Sequence, residues 1–185
     1  MNTVSQPAYA WYVVGVLALA NCVSFIDRLI LSLLVQPIKI ELGISDTAFS
    51  LLAGAAFAIF YCGMGLVIAR WADRYSRKWI VTIGIILWCL MTALSGTARS
   101  YLQLFAYRVG VGVGEATLSP SAYSLLAGHF PPQKLALAVG LFSAGVTAGT
   151  GLAYLLGGSV IGWVMSLGSV QLPLLGELSG WRLVM

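Results

Sequence analysis

Charge is what this sequence has least of. Of its 185 residues, ten are Lys or Arg, six are Asp or Glu and one is His, so 9% are charged, against about 25% in a soluble domain. With 59% hydrophobic residues and a mean hydropathy of +0.93, that scarcity excludes a water-soluble fold and predicts an integral membrane protein. Short alternating runs, the mark of a membrane barrel, are also missing. The apolar residues come in long blocks, as helices that satisfy their own backbone hydrogen bonds require. Metal ligands are scarce too: Cys22, Cys62 and Cys89 fall inside apolar blocks without ligand spacing, which reads as packed thiols rather than disulfides, a metal site or a cofactor site. His129 is the single histidine, and no HExxH pattern, nucleophile elbow or phosphate loop accompanies it, which argues against an enzyme. It reads as a cation at a helix end. The first ten residues carry no charge, so the apolar block from Trp11 lacks the basic region of a signal peptide and reads as a retained helix.

A membrane span needs about 20 mainly apolar residues. Five blocks qualify, at about 11–35, 48–69, 79–97, 101–129 and 136–165. Gln36-Pro37 breaks the chain after the first, and Leu42-Gly43-Ile44-Ser45-Asp46 reads as a helix stop followed by an N-cap. Loop charge sets orientation. Arg70, Arg74, Arg77, Lys78 and Lys134 fall on one side, against Lys39, Arg99 and Arg182 on the other, where Glu41, Asp46 and Glu177 also lie. The amino terminus and the 70–78 loop are therefore expected in the cytoplasm. After a connection from Ser166 to Gly180, the segment Gly180-Trp181-Arg182-Leu183-Val184-Met185 resembles the interfacial opening of a sixth span. The expected architecture is all-α: one polytopic bundle over residues 1–185, with five transmembrane helices and the start of a sixth. An odd number of spans, with the chain stopping where the sixth should begin, suggests a truncated gene or fragment more than a natural five-span protein.

Four charges remain inside spans: Asp27 and Arg28 in the first, Arg108 and Glu115 in the fourth. Each unpaired would cost about 2.5–3.5 kcal/mol, roughly 10–14 kcal/mol together, so they should face one another or a water-filled cavity. A rise of about 1.5 Å per residue puts Asp27 and Arg108 at one depth, roughly 10–12 Å from the outer surface, with Glu115 about 10 Å deeper. That count predicts an Asp27–Arg108 pair, and Glu115 within reach of Arg28 or water. Only the carboxylates can exchange a proton, because arginine stays protonated. Glu115 is the better carrier: low dielectric favours its neutral form and a nearby arginine its charged form, so the two effects oppose. A fixed structural network of the four charges is the alternative reading.

Gly110, Gly112 and Gly114 precede Glu115 in an apolar span, not at the strand-to-helix turn a dinucleotide fingerprint needs. Together with Gly140, Gly145 and Gly149 they read as helix-packing positions, with Ala136, Gly140, Ala144 and Ala148 at four-residue spacing. Pro120 can bend the fourth span.

With these pieces placed, the chain resembles the amino-terminal half of a major facilitator superfamily transporter. Ala69-Arg-Trp-Ala-Asp73-Arg74-Tyr-Ser-Arg77-Lys78 is similar to the family's loop between the second and third helices, although Ala69 and Ser76 replace usual glycines. Arg108 through Pro120, Phe130-Pro131-Pro132 and Phe25-Ile26-Asp27-Arg28 resemble both the Spinster-like and the organic anion–cation symporter branches; Ile44 through Leu52 and Phe57 through Tyr61 tilt toward Spinster-like. The resemblance implies a proton-coupling and substrate network of Asp27, Arg28, Arg108 and Glu115, and a cytoplasmic gating loop of Asp73, Arg74, Arg77 and Lys78. It implies alternating access between two bundles, of which the carboxy-terminal one is absent here. The function expected is a secondary transporter of the cell membrane, of the bacterial inner-membrane kind. It would be proton-coupled by symport or antiport and carry an amphipathic or anionic organic solute. Its partners would be the lipid bilayer, protons, the solute and a missing half or other polypeptide; no cofactor and no nucleic acid is expected. A non-transporting membrane subunit or regulatory fragment is the alternative.

Overall fold

The computed structural model describes residues 7–166, 169–172 and 176–185. Among the described residues four stretches of helix are long and apolar enough to cross a membrane: Pro7–Leu33, Asp46–Arg74, Arg77–Ser95 and Pro132–Val164. Helix α1 (Pro7–Leu33) is separated by Leu34 from α2 (Val35–Leu42). Pro37 sits in the first turn of α2, where its missing N–H is tolerated. Gly43 ends α2 at φ +62°, a left-handed conformation that suits glycine, and the Ser45 hydroxyl accepts the Ala48 N–H at 3.2 Å. The Leu42–Asp46 stretch is thus a stop and a cap, as its residues predict. The next rod comprises α3 (Asp46–Ser50), a π-helical stretch (Leu51–Ala56) and α4 (Phe57–Arg74). Helix α5 (Arg77–Ser95) follows after Ser76.

The 101–129 stretch is two helices, α6 (Tyr101–Glu115) and α7 (Leu118–His129), rather than one uninterrupted helix. Pro120 has no N–H to offer the Ala116 carbonyl, and the helix reforms around a turn at Ala116–Thr117, where the Thr117 hydroxyl donates to the Gly114 carbonyl at 2.8 Å. Helix α8 (Pro132–Ser166) is the longest. Within the expected 166–180 connection, β1 (Ser169–Leu172) pairs antiparallel with β2 (Gly176–Ser179); residues 167, 168 and 173–175 lie outside the described residues. A 3-10 turn, Gly180–Leu183, occupies the segment read as the opening of a sixth span.

Along α1 the buried residues Ala10, Val14, Leu17, Asn21, Ser24, Asp27 and Leu31 recur every three or four positions, a single face turned inward. Its apolar parts join two cores. One, around Leu17, Trp88, Val111, Leu126 and Phe142, knits α1 to α5, α6, α7 and α8. The other, around Leu31, Ile38, Phe49, Leu104 and Trp181, gathers α1, α2, α3, α6 and the 3-10 turn. On α1 the polar residues Asn21, Ser24 and Asp27 fall between them.

Close approaches explain several of the glycines. Residues four apart share a helix face and residues two apart do not. Gly110 and Gly114 accordingly meet α5 at Met91 and Trp88, whereas Gly112 meets the Phe57 carbonyl of α4, 3.1 Å from where a Cβ would stand. Gly84, which sequence reasoning passed over, leaves room for Thr117: a Cβ there would stand 1.8 Å from the Thr117 hydroxyl. On α8, Gly145 and Gly149 admit the Ala18 and Cys22 carbonyls of α1, which would lie 2.4 and 2.3 Å from a Cβ. Gly140 is a correction. Nothing lies within 4 Å of its Cβ position, and Ala136, Gly140, Ala144 and Ala148 are all exposed. Ala138, Phe142, Gly145, Gly149 and Ala153 form the buried face instead, because bulky Phe142 anchors that stripe. The thiols also divide: Cys22 is buried as expected, while Cys62 and Cys89 are exposed at the bundle surface.

At the end opposite the basic 70–78 loop, Arg182 ties three segments together. Its guanidinium donates to Glu41 Oε1 from Nε at 2.9 Å and from the terminal nitrogen at 2.7 Å, and also to the carbonyls of Gly96, at 3.1 Å, and Ala98. The Trp181 indole N–H donates to the other Glu41 oxygen. Burial works against the Glu41 carboxylate, but hydrogen bonds from Ser179, Trp181 and Arg182 outweigh it and hold its pKa below the ordinary 4.5.

Two predictions follow from this packing. Gly149→Ala should destabilise the bundle by about 1–3 kcal/mol through overpacking against Cys22, whereas Gly140→Ala should be neutral or stabilise by up to about 1 kcal/mol; thermal unfolding of the purified chain in detergent distinguishes them. A depressed carboxylate pKa stabilises above the ordinary value and loses that contribution as pH falls through the folded one. Melting temperatures between about pH 5 and pH 3 should therefore drop further for the wild type than for Glu41→Gln.

Candidate functional site

The helical stripe of α1 brings Asn21, Ser24 and Asp27 to the interior, and Arg28, the next residue, projects about 100° away round the helix. This splits the four charges of the spans into two pairs. Asp27 faces Arg108 of α6, with Oδ2 3.3 Å from the guanidinium. Arg28 faces Glu115 at the carboxy-terminal end of α6, donating to Oε2 from Nε at 2.6 Å, with a terminal nitrogen 2.5 Å from the same oxygen. The pairing predicted by depth is present, and Arg28 takes the deeper carboxylate because its side chain is long enough to cover the offset.

The pairs differ in what surrounds them. Arg108 is 1% exposed and its Nε has no hydrogen-bond partner among the described residues. Glu115 is equally buried, but its two oxygens are unequal. Oε2 accepts from Ser24, at 2.6 Å, and from Arg28, while Oε1 accepts from nothing among the described residues. The Arg28 side chain keeps about a quarter of its surface accessible. Three aromatic rings surround its guanidinium, Phe25 at 4.8 Å, Phe57 at 4.5 Å and Tyr61 at 4.8 Å from their centroids. Such contacts hold a cation in low dielectric at about 0.5–2 kcal/mol each. Phe57 and Tyr61 stack one turn apart on α4, centroids 5.3 Å apart, and the Phe57 backbone is brought in by Gly112.

Beside this arrangement lies a cavity of about 160 Å³, lined on one side by Ser24, Arg28, Tyr61, Glu115 and Ser119 and on the other by Tyr123, Phe142 and Val146. The Tyr61 and Ser119 hydroxyls are hydrogen-bonded at 3.4 Å on its wall. The cavity wall thus carries a carboxylate, a guanidinium and the hydroxyls of Ser24, Tyr61, Ser119, Tyr123 and Ser143. No cluster of His, Cys, Asp or Glu among the described residues could hold a metal ion.

The four loop residues lie elsewhere, roughly 25 Å along α4 from Phe57. Arg77 alone is tied down, donating to the Ala72 carbonyl at 3.2 Å and the Ser124 carbonyl of α7 at 3.4 Å. Asp73 and Arg74 end α4, Lys78 begins α5, and none of the three forms an ion pair among the described residues. Sequence reasoning missed Ser24 and the aromatic enclosure of Arg28. Ser24 could have been found, since it lies one turn before Arg28 on the stripe that carries Asp27. Phe25, Phe57 and Tyr61 carried no local signal, because apolar aromatics are common in any span.

The buried Asp27–Arg108 pair generates a prediction. Asp27→Asn leaves Arg108 charged and unpaired and should cost about 3–5 kcal/mol of stability, whereas Asp27→Asn combined with Arg108→Met should recover most of it. Unfolding titrations of these proteins and of Arg108→Met alone measure the coupling.

Comparison with known proteins gives this geometry a family. Residues 17–185 match the model of the Major Facilitator Superfamily. The chain is 38% identical over 161 residues to an MFS-type efflux pump of Mycolicibacterium smegmatis, covering 85% of this chain and 37% of that protein. It is 29% identical over 147 residues to protein spinster of Drosophila melanogaster, covering 80% of this chain and 24% of the fly protein. It superimposes on the crystal structure of a bacterial homolog to the human lysosomal transporter Spinster, in an inward-facing and unoccupied conformation, with a TM-score of 0.86 and 36% identity, over 97% of this chain and 40% of that one. The chain thus spans less than half the length of these relatives. With 169 residues matched to one family model and its helices superimposable on a solved relative, this chain belongs to the Major Facilitator Superfamily.

Proposed function

We propose that this bundle is one moving half of a proton-coupled secondary transporter for an amphipathic or anionic organic solute. A single observation carries the reading: a fully buried glutamate on a cavity wall, with one oxygen held by Ser24 and Arg28 and the other without a donor. In the cycle, protonation of Glu115 removes its charge and releases the Arg28 guanidinium, which stays among Phe25, Phe57 and Tyr61 and takes the anionic group of the solute. When the solute leaves, Arg28 returns to Glu115 and the proton is expelled. One arginine cannot serve both anions at once, and that competition is the coupling. Asp27–Arg108 keeps α1 and α6 in register and electrically neutral meanwhile.

The names of the relatives, an efflux pump and Spinster proteins, support transport as the activity. Alternating access requires a second bundle, supplied by the same polypeptide or another, and the relatives are long enough to contain one. The amino terminus and the 70–78 loop face the cytoplasm in this reading, in a cell membrane of the bacterial inner-membrane kind. There Asp73, Arg74, Arg77 and Lys78 latch the second bundle when the cytoplasmic side closes, Arg77 already being anchored to α7.

Reconstitution of the complete transporter in liposomes tests the cycle. Glu115→Gln should lower uptake driven by a proton gradient by about 5–150-fold, the range of a typical coupling energy, while solute exchange at equal pH persists. Unchanged proton dependence in that variant sinks the carrier role. Absence of any flux by the wild type favours a non-transporting subunit instead.

A further inference from the structure

The rod that carries Phe57 and Tyr61 is not a regular helix. Between α3 and α4 the six residues Leu51–Ala56 are π-helical, a form in which each N–H reaches back five residues rather than four, so the turn holds one residue more than the α-helical turn it replaces. Returning that surplus residue to α-helix, with the outer end held, carries everything beyond it round by about 100° and along by about 1.5 Å. In the π form Phe57 and Tyr61 point at Arg28, their ring centroids 4.5 and 4.8 Å from its guanidinium carbon. In the α form both rings turn away together. We propose that Leu51–Ala56 is a hinge whose π form closes these two rings over Arg28 and whose α form withdraws them, leaving Phe25 alone on the guanidinium.

Three features of the rod make the case. Its outer end is fixed, since Phe49 and Leu52 are buried in the core around Leu31, Ile38 and Leu104. The stretch itself is free to change its hydrogen-bond partners: Ala53, Gly54, Ala55 and Ala56 carry little or no side chain, and nothing lies within 4 Å of the Cβ position of Gly54. Below it, the rings are held by contacts that can be exchanged. Phe57 and Tyr61 are stacked one turn apart, 5.3 Å between centroids, and move as a unit. The Phe57 backbone rests on Gly112, which has no side chain to lock it. The Tyr61–Ser119 bond, at 3.4 Å, is long for a pair of hydroxyls. The role of the hinge rests on the proposed cycle, to which it adds the release step. Closed rings support the Arg28 cation while its carboxylate partner is neutral. Withdrawn rings leave that cation dependent on Glu115, which draws Arg28 back and lets the solute go.

Single-residue deletions in the complete transporter, purified in nonionic detergent, test the hinge. Deleting Gly54 removes the surplus residue, so both ends keep their register and the stretch becomes ordinary α-helix with the rings closed. Deleting Ala55 should do the same. Deleting Gly63, within the regular part of α4, instead turns Ile68 and Ala72 off their buried face. The first two proteins should melt within about 5 °C of the wild type and the third at least about 10 °C lower. In hydrogen-exchange mass spectrometry the amides of residues 52–57 should exchange about tenfold faster or more in the wild type than in the Gly54 deletion. With 3-fluorotyrosine in place of Tyr61, saturation-transfer fluorine NMR should find two exchanging signals in the wild type and one in that deletion. Gly54 and Ala55 deletions that both melt as low as the Gly63 deletion, equal exchange at residues 52–57, or a single fluorine signal in the wild type, the mark of a fixed bulge that only aims the rings, overturns the proposal. None of these measurements uses a solute or a proton gradient, so a failed liposome experiment strikes the cycle and leaves the hinge to be decided by them.

Discussion

A charge inside a low-dielectric bundle must find its opposite, and the interior of this protein is arranged around that requirement. Two arginines and two carboxylates lie where an unpaired ion would cost several kcal/mol, and they neutralise one another between α1 and α6. Pairing alone does not make the two alike. Arg108 and Asp27 are buried and pair with each other. Arg28 and Glu115 border a cavity, and three aromatic rings surround the Arg28 guanidinium.

Bringing those side chains together requires helices to approach more closely than ordinary side chains permit. Backbone-to-backbone contact is bought with glycine: Gly145 and Gly149 seat α8 against α1, Gly84 and Gly114 seat α5 against α6, and Gly112 draws in the α4 backbone that carries Phe57. In a membrane, where lipid is as apolar as leucine, such close van der Waals packing takes over the task that the hydrophobic effect performs in water. The exposed Ala136, Gly140, Ala144 and Ala148 stripe has the same composition without the same use within this chain.

The two ends of the bundle are finished in different ways. At one, Arg182 and Trp181 converge on Glu41, and Arg182 also donates to backbone carbonyls of the turn between α5 and α6, so the end of α2 is joined to that turn. At the other, basic residues stay largely unpaired, and Lys78 and His129 face a groove with no carboxylate in it.

By itself the sequence determined that this is a helical membrane protein, because scarcity of charge and long apolar blocks admit little else. It also determined which charges must pair, because the rise of a helix converts residue numbers into depth. The stop and cap at Gly43 and Ser45 could be read for the same reason: they are local chemistry. Which glycines matter was decided only by tertiary structure. The stripe through Gly140 and the stripe through Gly145 and Gly149 are equally regular in sequence, and only the docking of α8 on α1 selects between them. The enclosure of Arg28 by Phe57 and Tyr61, and the closure of the far end by Glu41 and Arg182, were hidden likewise. They join residues about 30 and 140 positions apart, and no local period in a sequence records a contact made across a bundle.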